Sequence, residues 1–200
     1  MTSEPAAEGL TSPRRPATDA EARVMASAVR LRILRLCLDG ALTNKEIAAR
    51  LGRDPATVLY HVRRLVETGF LVAEPVRRGV RGSREVPYRA TGKSWVLDVV
   101  EEKARKAGTA AMFEAFLADV AAVGVENLTH WARLGLRLTD QEREEFNERL
   151  KALFDEYIAR PSSPDAKPWG VFFAAHPDPR PYGNSGALGG RFVTPSEDDD

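Results

Sequence analysis

The side chains best suited to chemistry in this sequence are arginines, which cluster in two places. One cluster is the run RRGVRGSR at residues 77–84, and the other is the pair Arg63 and Arg64. Guanidinium groups on a Gly-containing loop suit a phosphate backbone, and an arginine on a helix can donate two hydrogen bonds to a guanine edge. The alternative for the run is an ordinary solvated basic loop.

Catalytic and metal chemistry has little support. The carboxylates within residues 142–148 alternate with basic side chains in a helical pattern, as ordinary surface pairs do. No nucleophile elbow or phosphate loop appears. The histidines His61, His130 and His176 include no pair at the i, i+4 spacing of metal ligands, and Cys37 stands alone. We therefore expect no enzymatic activity, no metal and no cofactor, with Cys37 a buried small residue rather than a redox sensor.

The elements that position Arg63 and Arg64 can be predicted from residues 43–69. Thr43 lies three residues before Glu46, the spacing of a reciprocal N-terminal capping box. The helix that follows stops at a glycine, which tolerates the left-handed conformation. Asp54 then caps a second helix over residues 55–68, with proline at its first position. Two capped helices joined by a sharp turn are the layout of a helix-turn-helix, whose second helix enters the DNA major groove.

The second helix has one apolar face. Val58, Val62 and Leu65 recur at i, i+4, i+7 and should face the core, whereas His61 at its border should be packed and hydrogen-bonded. The other face is either DNA-facing or simply the polar side of a surface helix. The residues expected at DNA are Thr43, Asn44, Arg53, Ala56, Thr57, Tyr60, Arg63, Arg64, Arg77, Arg78, Arg81 and Arg84.

A hairpin is predicted directly after this helix. Residues 70–72 and 85–90 form short β-like runs on either side of the basic loop. A hairpin in this place is a wing, and its arginines should lie along the phosphate backbone.

One helix is predicted before the motif. Thr18 or Asp19 could cap it, and its end is expected near Gly40. Its apolar stripe is Val24, Ala28, Leu31, Leu34 and Leu38. With the two helices of the motif it would enclose a small core.

Charge is divided unevenly along the 200-residue chain. Up to Lys93 there are 17 Lys+Arg and 10 Asp+Glu, a net of +7, and the remainder holds 12 and 19, a net of −7. This distribution favours phosphate contact by the first half only. A single cysteine favours a reducing compartment, and no apolar run approaches the roughly 20 residues that span a bilayer. A cytoplasmic protein with no membrane partner is expected.

Four regions are predicted. Residues 1–18 are a disordered arm, 19–93 a winged helix-turn-helix, 94–176 a helical dimerisation or effector region, and 177–200 a disordered acidic tail. The fold class is mainly α with a small β-hairpin wing.

Within the third region, a helix beginning near Trp95 should break near Gly108, and a long amphipathic segment should follow over residues 112–131. A helix opened by Thr139 should end before Pro161, and residues 169–175 should be a strand or a docked extended segment. A dimer interface or effector pocket is expected from Trp95, Phe113, Phe116, Leu117 and Trp131.

The ordered motifs of residues 20–93 resemble those of a known family. They are RILRL at 32–36, LT at 42–43, EIA at 46–48, PATV at 55–58, HVRRL at 61–65, GFLV at 69–72 and YRAT at 88–91. This set resembles the ArsR-type winged helix-turn-helix regulators. The resemblance implies a homodimer that represses or activates from a pseudo-palindromic operator. The Cys-x-Cys pair of metal-sensing members is missing, because Cys37 is the single cysteine, and it lies before the motif rather than in it.

The sequence therefore predicts a homodimeric transcriptional regulator that binds double-stranded DNA, with an unidentified small-molecule effector as a refinement. The alternative is a protein-interaction scaffold, in which the C-terminal helices dock a partner because they carry more apolar surface than one small domain covers.

Overall fold

The computed structural model describes residues 14–79, 82–132, 134–161, 163 and 165–177. The predicted disorder of residues 1–13 and 178–200, and the position of Arg81, lie outside this range. The helices are α1 (Asp19–Met25), α2 (Ala28–Leu36), α3 (Asn44–Leu51), α4 (Pro55–Glu67), α5 (Glu102–Val123) and α6 (Asp140–Ile158). The strands are β1 (Arg15–Pro16), β2 (Leu42–Thr43), β3 (Leu71–Ala73), β4 (Arg77–Arg78), β5 (Arg84–Glu85), β6 (Pro87–Ala90) and β7 (Leu97–Asp98).

Helices α3 and α4 begin and end as the sequence predicts. The Thr43 hydroxyl accepts the N–H of Glu46 at 3.3 Å, and the Glu46 carboxylate accepts the N–H of Thr43 at 2.7 Å. Gly52 ends α3 with φ 61°, in the left-handed region. Asp54 Oδ1 accepts the first free N–H groups of α4, from Ala56 at 2.9 Å and Thr57 at 3.1 Å.

The core lies where α2, α3 and α4 meet. Val58, Val62 and Leu65 have no exposed surface, which confirms the predicted buried face of α4. Ile33 of α2 and Ile47 of α3 are equally buried. The remaining members of this core are Val24, Leu34, Cys37, Leu42, Ala48, Phe70, Leu71, Ala90 and Leu97.

The predicted hairpin after α4 is present and is larger than expected. Strands β3 and β6 pair antiparallel, with Leu71 opposite Ala90, and the wing continues outward as the pair β4–β5. Strand β2 adds to the other edge of β6, with Leu42 opposite Tyr88. The three-stranded order β2-β6-β3 therefore ties the segment before α3 to the wing. Helices with this antiparallel wing form a winged helix-turn-helix.

The single helix predicted before the motif is wrong, because the chain forms α1 and α2 separated by a turn. Ser27 takes the N-cap position of α2 with extended backbone. The Arg30 guanidinium donates to the carbonyls of Arg23 at 2.6 Å and Val24 at 2.8 Å, at the end of α1. These carbonyls have no partner within the helix, so Arg30 stabilises the break between α1 and α2. Thr18, with Glu21, caps α1.

The predicted disorder of the arm is wrong for residues 14–18. Strand β1 pairs in parallel with β7, and Ala17 N–H donates to the Asp98 carbonyl at 2.8 Å. Arg14 also bonds Asp98, at 2.6 Å. A polar, proline-containing composition predicts disorder only while the segment has no partner strand, and the paired residues of β7 lie 82 positions later in the sequence.

Helix α5 differs from the predicted pair of segments. Trp95 lies in a short 3₁₀ turn, and α5 runs through Gly108 without a break before ending at Gly124, with φ 91°. One face of α5 is covered. Ala111 and Ala115 are buried, and Asp119, one turn further, accepts a 2.6 Å bond from Arg32 of α2.

The chain divides into two compact units, Met1–Asp119 and Val120–Asp200. The first unit therefore extends past the predicted boundary at residue 93 into α5. In the second unit, α6 begins at the predicted capping box of Thr139 and Glu142. Residues 169–175 are neither helix nor strand, although Phe173 lies against Phe146 with 6.2 Å between ring centroids. None of the described helices is long and apolar enough to cross a membrane.

Candidate nucleic-acid interface

The outer face of α4 presents the predicted DNA-contacting side chains to solvent. Ala56, Thr57, Arg63 and Arg64 are exposed, and Tyr60 is 60% exposed. The fully buried opposite face fixes the rotation of the helix, so these side chains cannot turn inward without breaking the core.

The two arginines of α4 differ in their surroundings. Arg64 Nη1 forms a 3.0 Å ion pair with Glu67, one turn later on the same helix. Arg63 instead borders a cavity of about 250 Å³ shared with Ala73 of β3 and Tyr88 of β6. Arg63 therefore lies beside the base of the wing.

His61 lies behind the exposed face. Its ring is half-buried and packs edge-on against Tyr60, with 5.4 Å between centroids. Burial lowers its pKa, and the positive charges of Arg30 and Arg53 lower it further. The predicted packing is present, but its buried Nδ1 has no hydrogen-bond partner in the described part of the chain. At neutral pH the ring is neutral.

Two residues predicted to contact DNA, at the start of α3, form hydrogen bonds within the protein. Thr43 is only 3% exposed, and its hydroxyl accepts the N–H of Glu46 as the cap of α3. Asn44 Nδ2 donates to the Pro55 carbonyl at 2.9 Å and so joins the starts of α3 and α4. Arg53, in the turn between the helices, is exposed as predicted.

The wing arginines also fall into two groups. Arg78 and Arg84 face each other across the β4–β5 ladder and are exposed. Arg77 is held by Glu46 of α3 at 2.6 Å and lies 3.9 Å from Glu85. The wing arginines Arg77, Arg78 and Arg84 line a cavity of about 450 Å³ together with Val76 and Gly82. The wing thus carries several positive charges, of which that of Arg77 is neutralised by neighbouring carboxylates.

Comparison with known proteins supports the local architecture. Residues 25–74 match the family described as "Helix-turn-helix domain". This segment is similar to helix-turn-helix domains. The match covers a quarter of the chain and includes α2, β2, α3, α4 and β3. A search of curated proteins finds no match.

Solved structures give weaker likenesses. A zinc-responsive MarR family member, ZitR of Lactococcus lactis, is 21% identical over 74% of this chain and 81% of that chain, with a TM-score of 0.25. Wild-type ZitR in complex with DNA is 21% identical over 74% and 82%, with a TM-score of 0.27. The transcriptional regulator SlyA is 16% identical over 64% and 72%, also with a TM-score of 0.27. Likenesses of this size say nothing about the ligands or the assembly of the present chain.

The helix-turn-helix domain has a positioning site that the sequence analysis missed. Lys93 Nζ donates to the Thr68 carbonyl at the end of α4 at 2.6 Å and forms a 2.7 Å ion pair with Glu21 of α1. The same ammonium lies 5.3 Å from the centre of the Phe70 ring. Lys93 therefore fixes the C-terminal end of α4 against α1. The only local signal was that Glu21 completes a capping box with Thr18.

Among the described residues, the side chains predicted to form a dimer interface or effector pocket are mostly exposed. In the first unit, Trp95 is 45%, Phe113 43% and Leu117 62% exposed, and Phe116 is half-buried. Trp131 belongs to the second unit and is 62% exposed. In each unit, considered separately, these side chains contribute exposed apolar surface.

Proposed function

We propose that this protein is a sequence-specific double-stranded DNA-binding transcriptional regulator that works as a homodimer. One observation carries the proposal: α4 has a fully buried apolar face and an opposite face that exposes Thr57, Tyr60, Arg63 and Arg64 beside an arginine-bearing wing. A major groove about 12 Å wide admits one α-helix. Helix α4 would lie in that groove.

Base and backbone contacts would come from different parts of this surface. Arg63 has no ion-pair partner within 4 Å among the described residues, so it is available to donate to guanine O6 and N7. Thr57 and Tyr60 suit phosphate oxygens on either side of the groove. Arg78 and Arg84 would lie along the backbone next to the groove. The net charge of +7 up to Lys93 supports this assignment of the DNA-facing half.

The exposed apolar face of α5 supports assembly into a dimer. Met112, Phe113 and Leu117 are 44%, 43% and 62% exposed, whereas Ala111 and Ala115 on the same helix are buried. A second copy of the chain would cover this face. To bind two half-sites one turn of B-DNA apart, such a dimer would have to hold its two α4 helices about 34 Å apart. The ArsR-type assignment, a cytoplasmic location and an effector bound near these aromatic side chains are finer parts of this proposal.

The test is to select bound genomic fragments with the purified protein and to measure affinity for the enriched duplex by fluorescence anisotropy over a salt series. Arg63→Ala should weaken binding by about 1–3 kcal/mol and relax preference at one base pair. Arg105→Ala on α5 removes the same charge from an exposed position outside the site and should leave base preference unchanged. Equal preference profiles for wild type and Arg63→Ala would contradict the placement of α4.

The interaction-scaffold alternative is favoured by the same open apolar surface. It would replace the proposal if light scattering after size exclusion showed a monomer and no genomic fragment were enriched.

A further inference from the structure

Arg77 is held between two carboxylates that come from different elements. Its Nη2 lies 2.6 Å from Glu46 Oε1 on α3, 31 residues away, and its Nε lies 3.9 Å from Glu85 Oε2 on β5. Arg77 and Glu46 remain 46% and 41% exposed, so the pair lies at the protein surface. The three groups together carry a net charge of −1, although the surrounding loop looks basic in sequence.

Glu46 cannot easily move away from this position. Its other oxygen, Oε2, accepts the Thr43 N–H at 2.7 Å as part of the capping box of α3. The Thr43 backbone bond, with the Thr43 hydroxyl and Arg77, also keeps the pKa of Glu46 below its usual value, so the carboxylate is charged at neutral pH. The ion pair is therefore anchored to the helix-turn-helix rather than formed between two mobile side chains.

The neighbouring arginines show the contrast. Arg78 and Arg84 are exposed on the same small ladder, and within the described residues neither forms an ion pair within 4 Å. A phosphate can bind these two without displacing a carboxylate. Binding Arg77 would first require breaking its contact with Glu46.

We propose that Glu46 is a specificity-determining residue that keeps Arg77 from the phosphate backbone and makes it a strut between α3 and the wing. This inference rests on the proposed DNA-binding function. Backbone contacts carry no sequence information, and non-specific binding is almost entirely electrostatic. A free Arg77 would therefore strengthen binding to any duplex and would loosen the wing that fixes the position of α4 on the operator.

Glu46→Gln tests this directly, because glutamine also completes a capping box but does not hold a guanidinium by charge. With an unrelated 30-base-pair duplex as the probe, affinity at low salt should rise about 3–10-fold, and the log–log salt slope should steepen by about 0.9. Operator affinity should rise less, so the specificity ratio should fall. Glu74→Gln is the matched control, because Glu74 pairs with Arg89 on the sheet. It removes the same charge and should leave the slope unchanged.

Arg77→Gln gives an independent readout that does not depend on the capping residue. The log–log salt slope of Arg77→Gln should equal that of the wild type, whereas the slope of Arg78→Gln should be smaller by about 0.9. In the Arg77→Gln background, Glu46→Gln should no longer steepen the slope. Circular dichroism of each variant would serve as the control that it is folded.

The outcomes separate this inference from the proposed function. If the wild type binds its operator but Arg77→Gln lowers the slope as much as Arg78→Gln does, Arg77 touches phosphate and the inference is overturned while the function stands. An unchanged slope for folded Glu46→Gln also overturns it. If the wild type binds no duplex at all, the proposed function fails first and the inference fails with it.

Discussion

Replacing Glu21 by glutamine should destabilise the domain much more than a usual surface change. The carboxylate is buried, with a side chain 7% exposed, and it contacts Arg15 at 2.7 and 3.0 Å and Lys93 at 2.7 Å. It also accepts the Thr18 N–H at 2.8 Å. Glutamine can keep the last bond but cannot balance the two cations.

The magnitude lies between two limits. Removing one member of a fully buried ion pair costs about 3–5 kcal/mol, whereas a solvent-exposed pair contributes about 0–1 kcal/mol. The side chains of Arg15 and Lys93 are 47% and 24% exposed, so both cations remain partly hydrated. The expected cost therefore lies below the limit of about 3–5 kcal/mol for a fully buried pair. We expect Glu21→Gln to lower the free energy of unfolding by about 2 kcal/mol.

The loss should depend on pH. The hydrogen bond from Arg15, aided by Lys93, holds the pKa of Glu21 well below its ordinary value of 4.5. A carboxyl whose folded pKa is depressed contributes its full stability above its unfolded pKa and loses that contribution as pH falls toward its folded pKa. The difference between wild type and Glu21→Gln should therefore be greatest at pH 7, begin to shrink as pH falls below about 4.5, and still be partly present at about pH 3.

Urea denaturation followed by circular dichroism at several pH values measures this difference. Glu102→Gln is the control, because Glu102 is 67% exposed and pairs with Lys106 on the same helix. It should change stability by less than about 0.5 kcal/mol. A Glu21→Gln difference that stayed constant from pH 7 to about pH 3 would refute the ionic account and leave only a packing effect.

Three further results are expected. Asp54→Ala should cost about 1 kcal/mol by removing the cap of the recognition helix, and Asp54→Asn should cost less in the same urea titration. Burial raises the pKa of Cys37 to about 12, so its thiol should react with a disulfide reagent only when urea unfolds the domain; rapid reaction of the native protein would contradict this. Leu117→Glu should halve the mass found by light scattering if α5 pairs two copies, and an unchanged mass would place the interface elsewhere.

Features decided by neighbours in sequence could be predicted. Capping at Thr43, Asp54 and Thr139 depends on a polar side chain two or three residues before a free N–H, so the pattern contains the whole interaction. The buried face of α4 follows from helical spacing alone. The hairpin follows from two β-like runs around a glycine-containing loop. These local rules account for the position of the recognition helix and the wing.

Features decided by distant partners could not be predicted. Strand β1 exists because β7 lies beside it, and Arg32 is placed by Asp119, 87 residues later. Gly108 was expected to break a helix, but an isolated glycine costs only about 1 kcal/mol there and α5 runs through it. The turn at Ser27 did have a local signal, a capping residue type before an apolar run, although the continuous apolar stripe concealed it.

The same distinction limits what a count of arginines says about DNA binding. Arg30 supports a helix end, Arg32 binds Asp119, Arg64 pairs with Glu67, and Arg77 pairs with Glu46. Each of these side chains has a protein partner that a phosphate would have to displace. Counterion release scales with phosphates that a free cation neutralises, so the basic sequence overstates the electrostatic affinity. Part of the positive charge of this domain therefore stabilises contacts within the protein, and only the remaining part is free to bind phosphate. The specificity of the domain then depends on how firmly those internal contacts hold, rather than on total charge.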